Sequence, residues 1–339
     1  MSTVRPLPTH PEGPQPKSPS EVIAWFETGR LSPSEAFAWF RTFEHHLPDS
    51  TWNAAVPPAE ADSEAARLAR LEAVMAELDS LIGLDSVKSL IKELRAFIEI
   101  QKRRAQMKLA AEPTVLHMVF RGNPGTGKTT VARITGRMFK EMGVLPKGHM
   151  CECSRADLVG EYIGHTAQKT REQIKKAFGG VLFVDEAYAL ARGGEKDFGK
   201  EAIDTLVKEI EDHKNELVVI LAGYKEEMAD FLDANPGLRS RFPIHIDFPD
   251  YLPAELLKIA ETMLRARDYE LDPAARAKLR ELLRTAQADR THPSGNARLV
   301  RNLIERALRR QAVRLMDAKK HTRRDLIRIL PEDLEAVNH

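Results

Sequence analysis

The spacing of apolar residues predicts two short helices near the start of the chain. The segment SPSEVIAWF from Ser18 is echoed by SPSEAFAWF from Ser32. Each copy places Ser at a helix N-cap, Pro at the first helical position and Glu three residues after the cap. We therefore predict a helical hairpin over residues 18–48, which either packs on the rest of the chain or binds a partner. A Pro-rich polar tail, residues 1–17, precedes it, and an Ala-, Pro- and acid-rich linker, residues 49–64, follows it.

Helical periodicity resumes at about Ala65 and then alternates with short apolar segments that are typical of buried strands. This alternation indicates a parallel sheet with helical crossovers. Beyond Pro253 only helices are evident, apart from a short strand candidate in DLIRI, and the chain ends in the helical pattern PEDLEAV. The sequence thus predicts an α/β domain over residues 65–250 and a helical domain over residues 251–339. The strand candidates are residues 115–120, 149–153, 181–185, 217–223 and 244–248.

A glycine-rich loop between the first strand candidate and a helical pattern carries the main chemical signal. Residues 122–129 read GNPGTGKT and satisfy the pattern G-x-x-x-x-G-K-[ST]. The glycines let backbone N–H groups converge on phosphate oxygens, Lys128 reaches the outer phosphates, and the Thr129 hydroxyl is a ligand for Mg²⁺. An incidental glycine-rich turn is the alternative, and the flanking strand and helix disfavour it. The predicted nucleotide-binding residues here are Asn123, Pro124, Gly125, Thr126, Gly127, Lys128, Thr129 and Thr130.

Two carboxylates, Asp185 and Glu186, end the apolar segment VLFVDE. A strand this apolar belongs in the interior of a sheet. At its carboxyl end Asp185 would lie beside the phosphate loop and hold Mg²⁺, and Glu186 would orient and deprotonate the attacking water. Acids that end a strand are often solvated residues without a role. In a chain that also has a phosphate loop, the catalytic interpretation is favoured.

Composition narrows the class of protein. The chain has 51 Lys and Arg against 50 Asp and Glu, so its net charge of +1 provides no general attraction for nucleic acid. The two cysteines, Cys151 and Cys153, are too close for a normal disulfide and too few for a metal site. The N-terminus lacks the features of a signal peptide, and no apolar run is long enough to cross a bilayer. These features predict a soluble, cytoplasmic protein.

Several stretches of the chain resemble the AAA+ ATPases, and within them the branch that contains stage V sporulation protein K and the red-type rubisco activase. The resemblance extends from about Leu71 to near the C-terminus. The longer stretches are similar to the sporulation protein rather than to the rubisco activase. The residues before Leu71 have no recognised counterpart. The stretches are GNPGTGKTTVAR, ADLVGEYIGHTAQKT, LFVDEAYALARGGEKDFGKEAIDTLVK, ILAGY and NPGLRSRFPIHIDFPDY.

The resemblance implies an αβα ATPase domain with a five-stranded parallel sheet, followed by a helical lid. It also implies a hexameric ring of subunits that uses ATP and Mg²⁺. Ile82 and Gly83, with Leu81 before them, are similar to the stretch that contacts adenine. Arg241 resembles the arginine finger offered to the ATP of the neighbouring subunit, and Arg298 resembles the lid arginine that senses the γ-phosphate. Lys128, Glu186 and Arg241 are therefore the predicted catalytic residues.

Two assignments stay open at this point. From spacing alone Arg239 is as good a finger as Arg241, and only the resemblance favours Arg241. Many family members place Asn after the fourth strand, whereas this chain has Gly223 and Tyr224 there. Tyr224 either acts as the sensor of nucleotide state or only packs.

A loop after the second strand candidate has the composition of a peptide grip. Tyr162, Ile163 and Gly164 lie where ring ATPases of this type face the central pore. An aromatic and an apolar side chain on a glycine-hinged loop can press against any extended peptide. The alternative is that Tyr162 packs under its own loop. The polar segment 192–199 is a second pore loop, a subunit contact or an ordinary solvated loop.

The function predicted from these features is an ATP-hydrolysing ring motor that remodels or threads a partner protein. It would form a homo-oligomer, bind no nucleic acid and not insert into membranes. A remodeller that acts like a rubisco activase is one alternative. An ATP-controlled scaffold that assembles without pulling a substrate is the other.

Overall fold

A five-stranded parallel sheet is the centre of the larger of two units in the computed structural model, residues 1–63 and 64–339. The strands are β1 (Met118–Gly122), β2 (Met150–Cys153), β3 (Val181–Val184), β4 (Val218–Gly223) and β5 (Ile244–Phe248), in the order β2-β3-β4-β1-β5. The structure describes residues 64–110, 115–162, 164–192, 197–288, 295–316 and 321–335, and in the smaller unit Glu21, Val22, Trp25, Thr28 and Arg30. Apart from those five residues and Glu64, the predicted tail, hairpin and linker lie outside the described residues.

Both faces of the sheet are buried, which explains why its central strands are apolar throughout. In β1, Met118 and Phe120 belong to one apolar cluster and Val119 belongs to the other. The first cluster includes helices α1 (Glu64–Ser80), α2 (Asp85–Gln106) and α3 (Lys128–Glu141). The second includes α4 (Arg155–Leu158), α5 (His165–Ala177), α6 (Gly199–Asp212), α7 (Lys225–Asp233), α8 (Pro236–Arg241) and a 3₁₀ helix, Ala187–Ala191. Alternate side chains of each strand therefore enter opposite helical layers.

The C-terminal part of the chain forms the lid, which is mainly helical. Its helices are α9 (Pro253–Arg265), α10 (Pro273–Ala288), α11 (Asn296–Met316) and α12 (Arg323–Ile327). Two short strands, β6 (Glu270–Leu271) and β7 (Arg328–Ile329), pair in parallel, and a 3₁₀ turn, Pro331–Asp333, follows. Only the end of DLIRI is therefore a strand, and PEDLEAV is not an α-helix in the part that the structure describes. The lid shares one apolar cluster with the α1–α3 face of the sheet.

The predicted architecture is confirmed, and the strand ends differ by up to three residues. Strand β1 begins at Met118 rather than at Val115 because its pairing with both neighbouring strands starts there, with Ile220 of β4 and Ile244 of β5. The division at residue 250 between the ATPase domain and the lid stays a prediction. Among the helices of the described residues, none combines the length and the apolar character that a membrane span requires.

His117, just before β1, is a buried histidine that is held in its neutral form. Its side chain is 2% exposed, and its Nδ1 accepts a hydrogen bond from the backbone N–H of Val219 at 3.1 Å. Its ring lies 5.7 Å from the ring of Phe242. Burial lowers the pKa of His117 to about 4, and the nearby Glu211 carboxylate partly opposes this. The imidazole is therefore a neutral acceptor at the amino end of the sheet.

We expect His117 to make the protein less stable as the pH falls from 6.5 towards 4. In this window the unfolded chain binds a proton that the folded chain does not, so unfolding is favoured by about 1.4 kcal/mol per pH unit. The contribution is complete above pH 6.5 and is lost at about pH 4, roughly 3 kcal/mol in all. His117→Gln, which keeps an acceptor for Val219, should lose this slope in urea titrations. Equal slopes for the two proteins between pH 6.5 and 4 would contradict a neutral His117.

Candidate functional site

The phosphate loop connects the end of β1 to the start of α3. Gly125 and Gly127 have φ angles of 75° and 97°, a backbone conformation that side-chain-bearing residues rarely adopt. Thr126 is fully buried, and its Oγ1 donates to the carbonyl oxygen of Asn123 at 2.8 Å. The loop thus has a fixed shape that depends on its glycines.

Lys128 is the first residue of α3 and points back into the loop. Its Nζ donates to the carbonyl oxygens of Gly122 at 2.7 Å and Asn123 at 2.9 Å. Burial lowers the pKa of Lys128, and a neighbouring guanidinium lowers it further, while three carboxylates raise it. These four charged neighbours are Arg298, Asp185, Glu186 and Asp250. The structure therefore brings the predicted lysine, the two acids and the lid arginine around one loop.

Asp185 and Glu186 follow directly after β3, at the carboxyl end of the sheet. The backbone N–H of Glu186 donates to Oδ1 of Asp185 at 3.0 Å. Glu186 itself has a φ of 48°, so the chain turns sharply at this residue and its side chain is exposed. Thr129, in the first turn of α3, is half-buried, and Thr130 beside it is exposed. Strand β4 lies between β1 and β3, so the acids act on Lys128 across one intervening strand.

The predicted adenine segment lies next to both the phosphate loop and the lid. Ile82 and Gly83 are half-buried in the turn between α1 and α2, and Gly83 has a φ of 62°. A side chain at Gly83 would collide with the carboxylate of Glu255 in α9. The next residue, Leu84, is 4% exposed and lies beside Gly127. The segment therefore lies between the phosphate loop and lid helix α9.

The two candidate finger arginines lie on the short helix α8 but differ in their surroundings. Nε of Arg241 donates to Oε2 of Glu211 at 2.9 Å, and its Nη1 donates to the carbonyl oxygen of Gly237 at 3.0 Å. Arg239 pairs with Asp233 at 2.9 Å, and its side chain is 69% exposed against 31% for Arg241. The side chain of Arg241 is therefore more firmly held than that of Arg239.

Arg241 lies at the opposite end of the sheet from the phosphate loop of its own chain. Parallel pairing sets Ile244 opposite Met118 and Phe248 opposite Gly122. Arg241 precedes Ile244, whereas the phosphate loop follows Gly122, so the length of β1, about 13 Å, separates the two ends. Within one chain the structure does not bring Arg241 to the site of Lys128.

The predicted pore loop is exposed where the structure describes it. The Tyr162 side chain is 66% exposed and contacts His165 edge to face, with ring centroids 5.7 Å apart. Gly164 has a φ of 83°, and apart from its chain neighbours no atom of the described residues lies within 4 Å of the place where a side chain would start. Ile163 lies outside the described residues. Tyr162 therefore does not pack beneath its own loop.

The position of the missing Asn sensor is occupied by aromatic packing. A side chain at Gly223, the last residue of β4, would meet the ring of Tyr188 at 2.7 Å. The ring of Tyr224 lies 6.0 Å from that of Tyr188. In the segment 192–199, residues 193–196 lie outside the described residues, and Asp197 accepts two hydrogen bonds of 2.7 Å from Arg155. Tyr224 thus packs beside Tyr188, and Asp197 fastens the end of that segment.

Three residues that sequence reasoning did not single out also touch the phosphate loop. Asp250 accepts from Asn123, Asn296 donates to Pro124, and the Tyr251 hydroxyl donates to the carbonyl oxygen of Thr126. Asp250 and Tyr251 end the stretch NPGLRSRFPIHIDFPDY, and Asn296 lies two residues before Arg298. No spacing rule predicts contacts between residues so far apart in the chain.

Comparisons with known proteins identify the family of this chain. Residues 118–250 match the ATPase family associated with various cellular activities (AAA), and residues 252–339 match the AAA lid domain. Stage V sporulation protein K of Bacillus subtilis is 54% identical over 266 residues, 78% of this chain and 82% of that protein. Protein CbbX of Cereibacter sphaeroides is 48% identical over 248 residues, 72% of this chain and 79% of that protein. The chloroplastic ribulose bisphosphate carboxylase/oxygenase activase of Cyanidioschyzon merolae is 44% identical over 270 residues, 78% of this chain and 91% of that protein.

A solved structure supports the fold. The FIGL-1 AAA domain in complex with ADP superposes with a TM-score of 0.53 over 77% of this chain and 85% of that chain, at 17% identity. At this identity the likeness shows the fold alone. Sequence relatives, family matches and fold agree, and the chain therefore belongs to the AAA family of ATPases, among relatives that include stage V sporulation protein K and CbbX.

Proposed function

We propose that this protein is an ATP-hydrolysing motor that works as a homo-oligomeric ring, a hexamer, and remodels a partner protein. The observation that carries the proposal is the position of Arg241. A catalytic guanidinium at the amino end of the sheet cannot serve the phosphate loop at the carboxyl end of the same sheet. It can serve the loop of a neighbouring subunit, so hydrolysis depends on assembly.

The residues of the loop fit ATP and Mg²⁺. Phosphate oxygens suit the Lys128 ammonium and the backbone N–H groups from Asn123 to Thr130, apart from Pro124. Ile82 and Gly83 lie beside the loop, where adenine would bind. The Thr129 hydroxyl and the Asp185 carboxylate are the hard oxygen ligands that Mg²⁺ prefers. When bound, the ion would neutralise charge that develops on the transferring phosphoryl group.

Within this proposal Glu186 is the base that orients the attacking water and takes its proton. Its backbone turns at a positive φ and its N–H is held by Asp185, so the carboxylate follows the end of β3 in a fixed direction. Arg298 reads the γ-phosphate from the lid, since its charge already acts on Lys128. Arg241 from the neighbour completes the pocket.

The relatives leave two substrates for the remodelling step. The sporulation protein has the higher identity, 54%, and we rank a sporulation-related partner first. The similarity of 44% to a rubisco activase favours an activase-like remodeller as the second candidate. Adding purified rubisco of the host, if the host has one, and measuring ATP turnover separates the two, because only the second candidate should respond.

The exposed Tyr162 tests whether the ring grips a polypeptide. We expect Tyr162→Ala to keep basal ATP turnover and to lose stimulation by an unfolded polypeptide, because the ring that presses on the peptide is gone. Stimulation by casein is the measurement. Met107→Ala, which removes another exposed apolar side chain from the end of α2, is the matched control and should behave as wild type. Equal stimulation of the Tyr162→Ala variant and wild type would contradict threading.

A further inference from the structure

Asn296 stands at the start of lid helix α11 with every polar atom of its side chain engaged. The residue is 0% exposed and has a φ of 46°, a conformation that Asn tolerates better than most residues. Its Oδ1 accepts from the backbone N–H of Tyr251 at 3.0 Å. Its Nδ2 donates to Oδ1 of Asp250 at 2.8 Å and, at 3.4 Å, to the carbonyl oxygen of Pro124 in the phosphate loop. One side chain thus joins the lid, the junction and the loop.

Asp250 carries the second half of this network. It lies in the junction between β5 and α9, where the sheet ends and the lid begins. Its carboxylate accepts from Nδ2 of Asn123 at 3.0 and 2.9 Å, while Oδ1 also accepts from Asn296. A single acid at the junction therefore holds an amide of the loop and an amide of the lid at the same time.

Backbone contacts also hold the start of α11 against the phosphate loop. The N–H of Ala297, in the first turn of α11, donates to the carbonyl oxygen of Gly125 at 3.1 Å. Such N–H groups have no partner inside their own helix, so the loop supplies one. A side chain at Gly125 would lie 2.6 Å from the carbonyl oxygen of Gly295 and 2.9 Å from the N of Arg298. The end of the lid helix and the loop are in backbone contact, and only glycine permits this.

We propose that Asn296 and Asp250 form a polar latch that positions Arg298 over the phosphate loop. The proposal rests on the function proposed above, in which Arg298 senses the γ-phosphate. Arg298 is two residues beyond Asn296, so the latch fixes the backbone position from which the Arg298 side chain extends. Asn296 and Asp250 are positioning residues, since they act through Arg298 rather than on the phosphates. The lid helices are held by apolar residues such as Leu279, Leu303 and Ile304, within the cluster that they share with the sheet, so the lid stays folded when the latch is cut.

The latch is tested by exchanging its donor and acceptor. Asn296→Asp keeps the size and tolerates the positive φ, but it removes the Nδ2 donor and faces Asp250 with a second carboxylate. We expect the Kd for ATP to rise about tenfold, with a comparable fall in kcat, whereas ADP binding stays within about threefold. The double variant Asp250→Asn, Asn296→Asp restores one donor opposite one acceptor and should recover ATP binding to within about threefold of wild type. Fluorescent ATP and ADP, titrated in a Glu186→Gln background, measure the binding.

A matched control separates the latch from a general effect on the helix. Asn302→Asp makes the same chemical change on an exposed position of α11 and should leave ATP and ADP binding unchanged. If Asn296→Asp fails to fold by thermal melting, Asp250→Ala takes its place, because Asp250 is exposed and its loss cuts the bond to Asn296 together with both bonds to Asn123. Equal weakening of ATP and ADP, or a double variant no better than the single one, would overturn the latch.

Failure of the latch and failure of the proposed function give different results. A wild-type chain that hydrolyses ATP beside an Asn296→Asp variant with unchanged ATP affinity and kcat overturns the latch alone. A wild-type chain that neither binds nor hydrolyses ATP overturns the proposed function, and the latch with it.

Discussion

We expect Glu186→Gln to stop ATP turnover while the protein still binds ATP and assembles. The amide has nearly the shape of the carboxylate but cannot take the proton of the attacking water, so kcat falls by a factor of about 10² to 10⁴. Binding survives because Lys128, Thr129 and the loop amides are untouched. Phosphate release under single-turnover conditions measures the first effect, and retention of radiolabelled ATP on the purified protein measures the second.

The control for this experiment is another glutamate on the same edge of the molecule. Glu226→Gln changes an exposed residue in the first turn of α7, after β4, and should hydrolyse ATP as wild type does. A Glu186→Gln protein with normal turnover would show that another group acts as the base.

The arrested Glu186→Gln ring is also the means to identify the partner. A motor that holds ATP without hydrolysing it does not release its substrate, so the substrate should copurify in ATP and be lost in ADP. The Tyr162→Ala change added to the same protein is the control, because it removes the proposed grip and leaves the arrested ATP site intact. A protein recovered equally with both variants is not a threaded substrate.

The sheet could be predicted from sequence because its chemistry is local. Segments such as VLFV and VVILAG are buried on both faces, so each lacks polar positions and is bounded by turn residues. The phosphate loop is equally local, since Gly125, Gly127 and Lys128 must follow a strand and open a helix. These signals lie within a few residues of each other, and the structure agrees with them.

The contacts that close the site could not be predicted in the same way. Asn296 bonds to Pro124, 172 positions earlier in the chain, and no periodicity links residues so far apart. The position depends on how the lid packs against the α1–α3 face, which is a property of the shared apolar cluster. The partner of Arg241, Glu211, was missed for the same reason: α6 and α8 meet only once the sheet has formed. The family resemblance predicts the roles of Arg241 and Arg298, whereas their contacts are known only from the structure.

Replacing Arg241 with Ala should lower kcat by about a thousandfold or more, whereas Arg239→Ala should have little effect. A guanidinium delivered to the transferring phosphoryl group has an effect of this size. Arg239 is exposed and makes a surface ion pair with Asp233, and such pairs contribute little. Turnover of both variants, at a protein concentration where size-exclusion chromatography shows the same oligomer as wild type, is the measurement. A larger loss for Arg239→Ala would assign the finger to Arg239.

Mixing two inactive variants then decides whether the pocket is shared. In Arg241→Ala every subunit keeps Glu186, and in Glu186→Gln every subunit keeps Arg241. If the finger acts on the neighbouring subunit, equal mixing places an intact Glu186 opposite an intact Arg241 at about one interface in four, and turnover returns in proportion. If the finger acts within its own chain, no mixture contains an intact pocket. Mixed oligomers, verified by copurification of two different tags, that remain inactive would therefore contradict a site built between subunits. A monomer that turns over ATP at the full wild-type rate would contradict it as well, because the length of β1 separates Arg241 from its own phosphate loop.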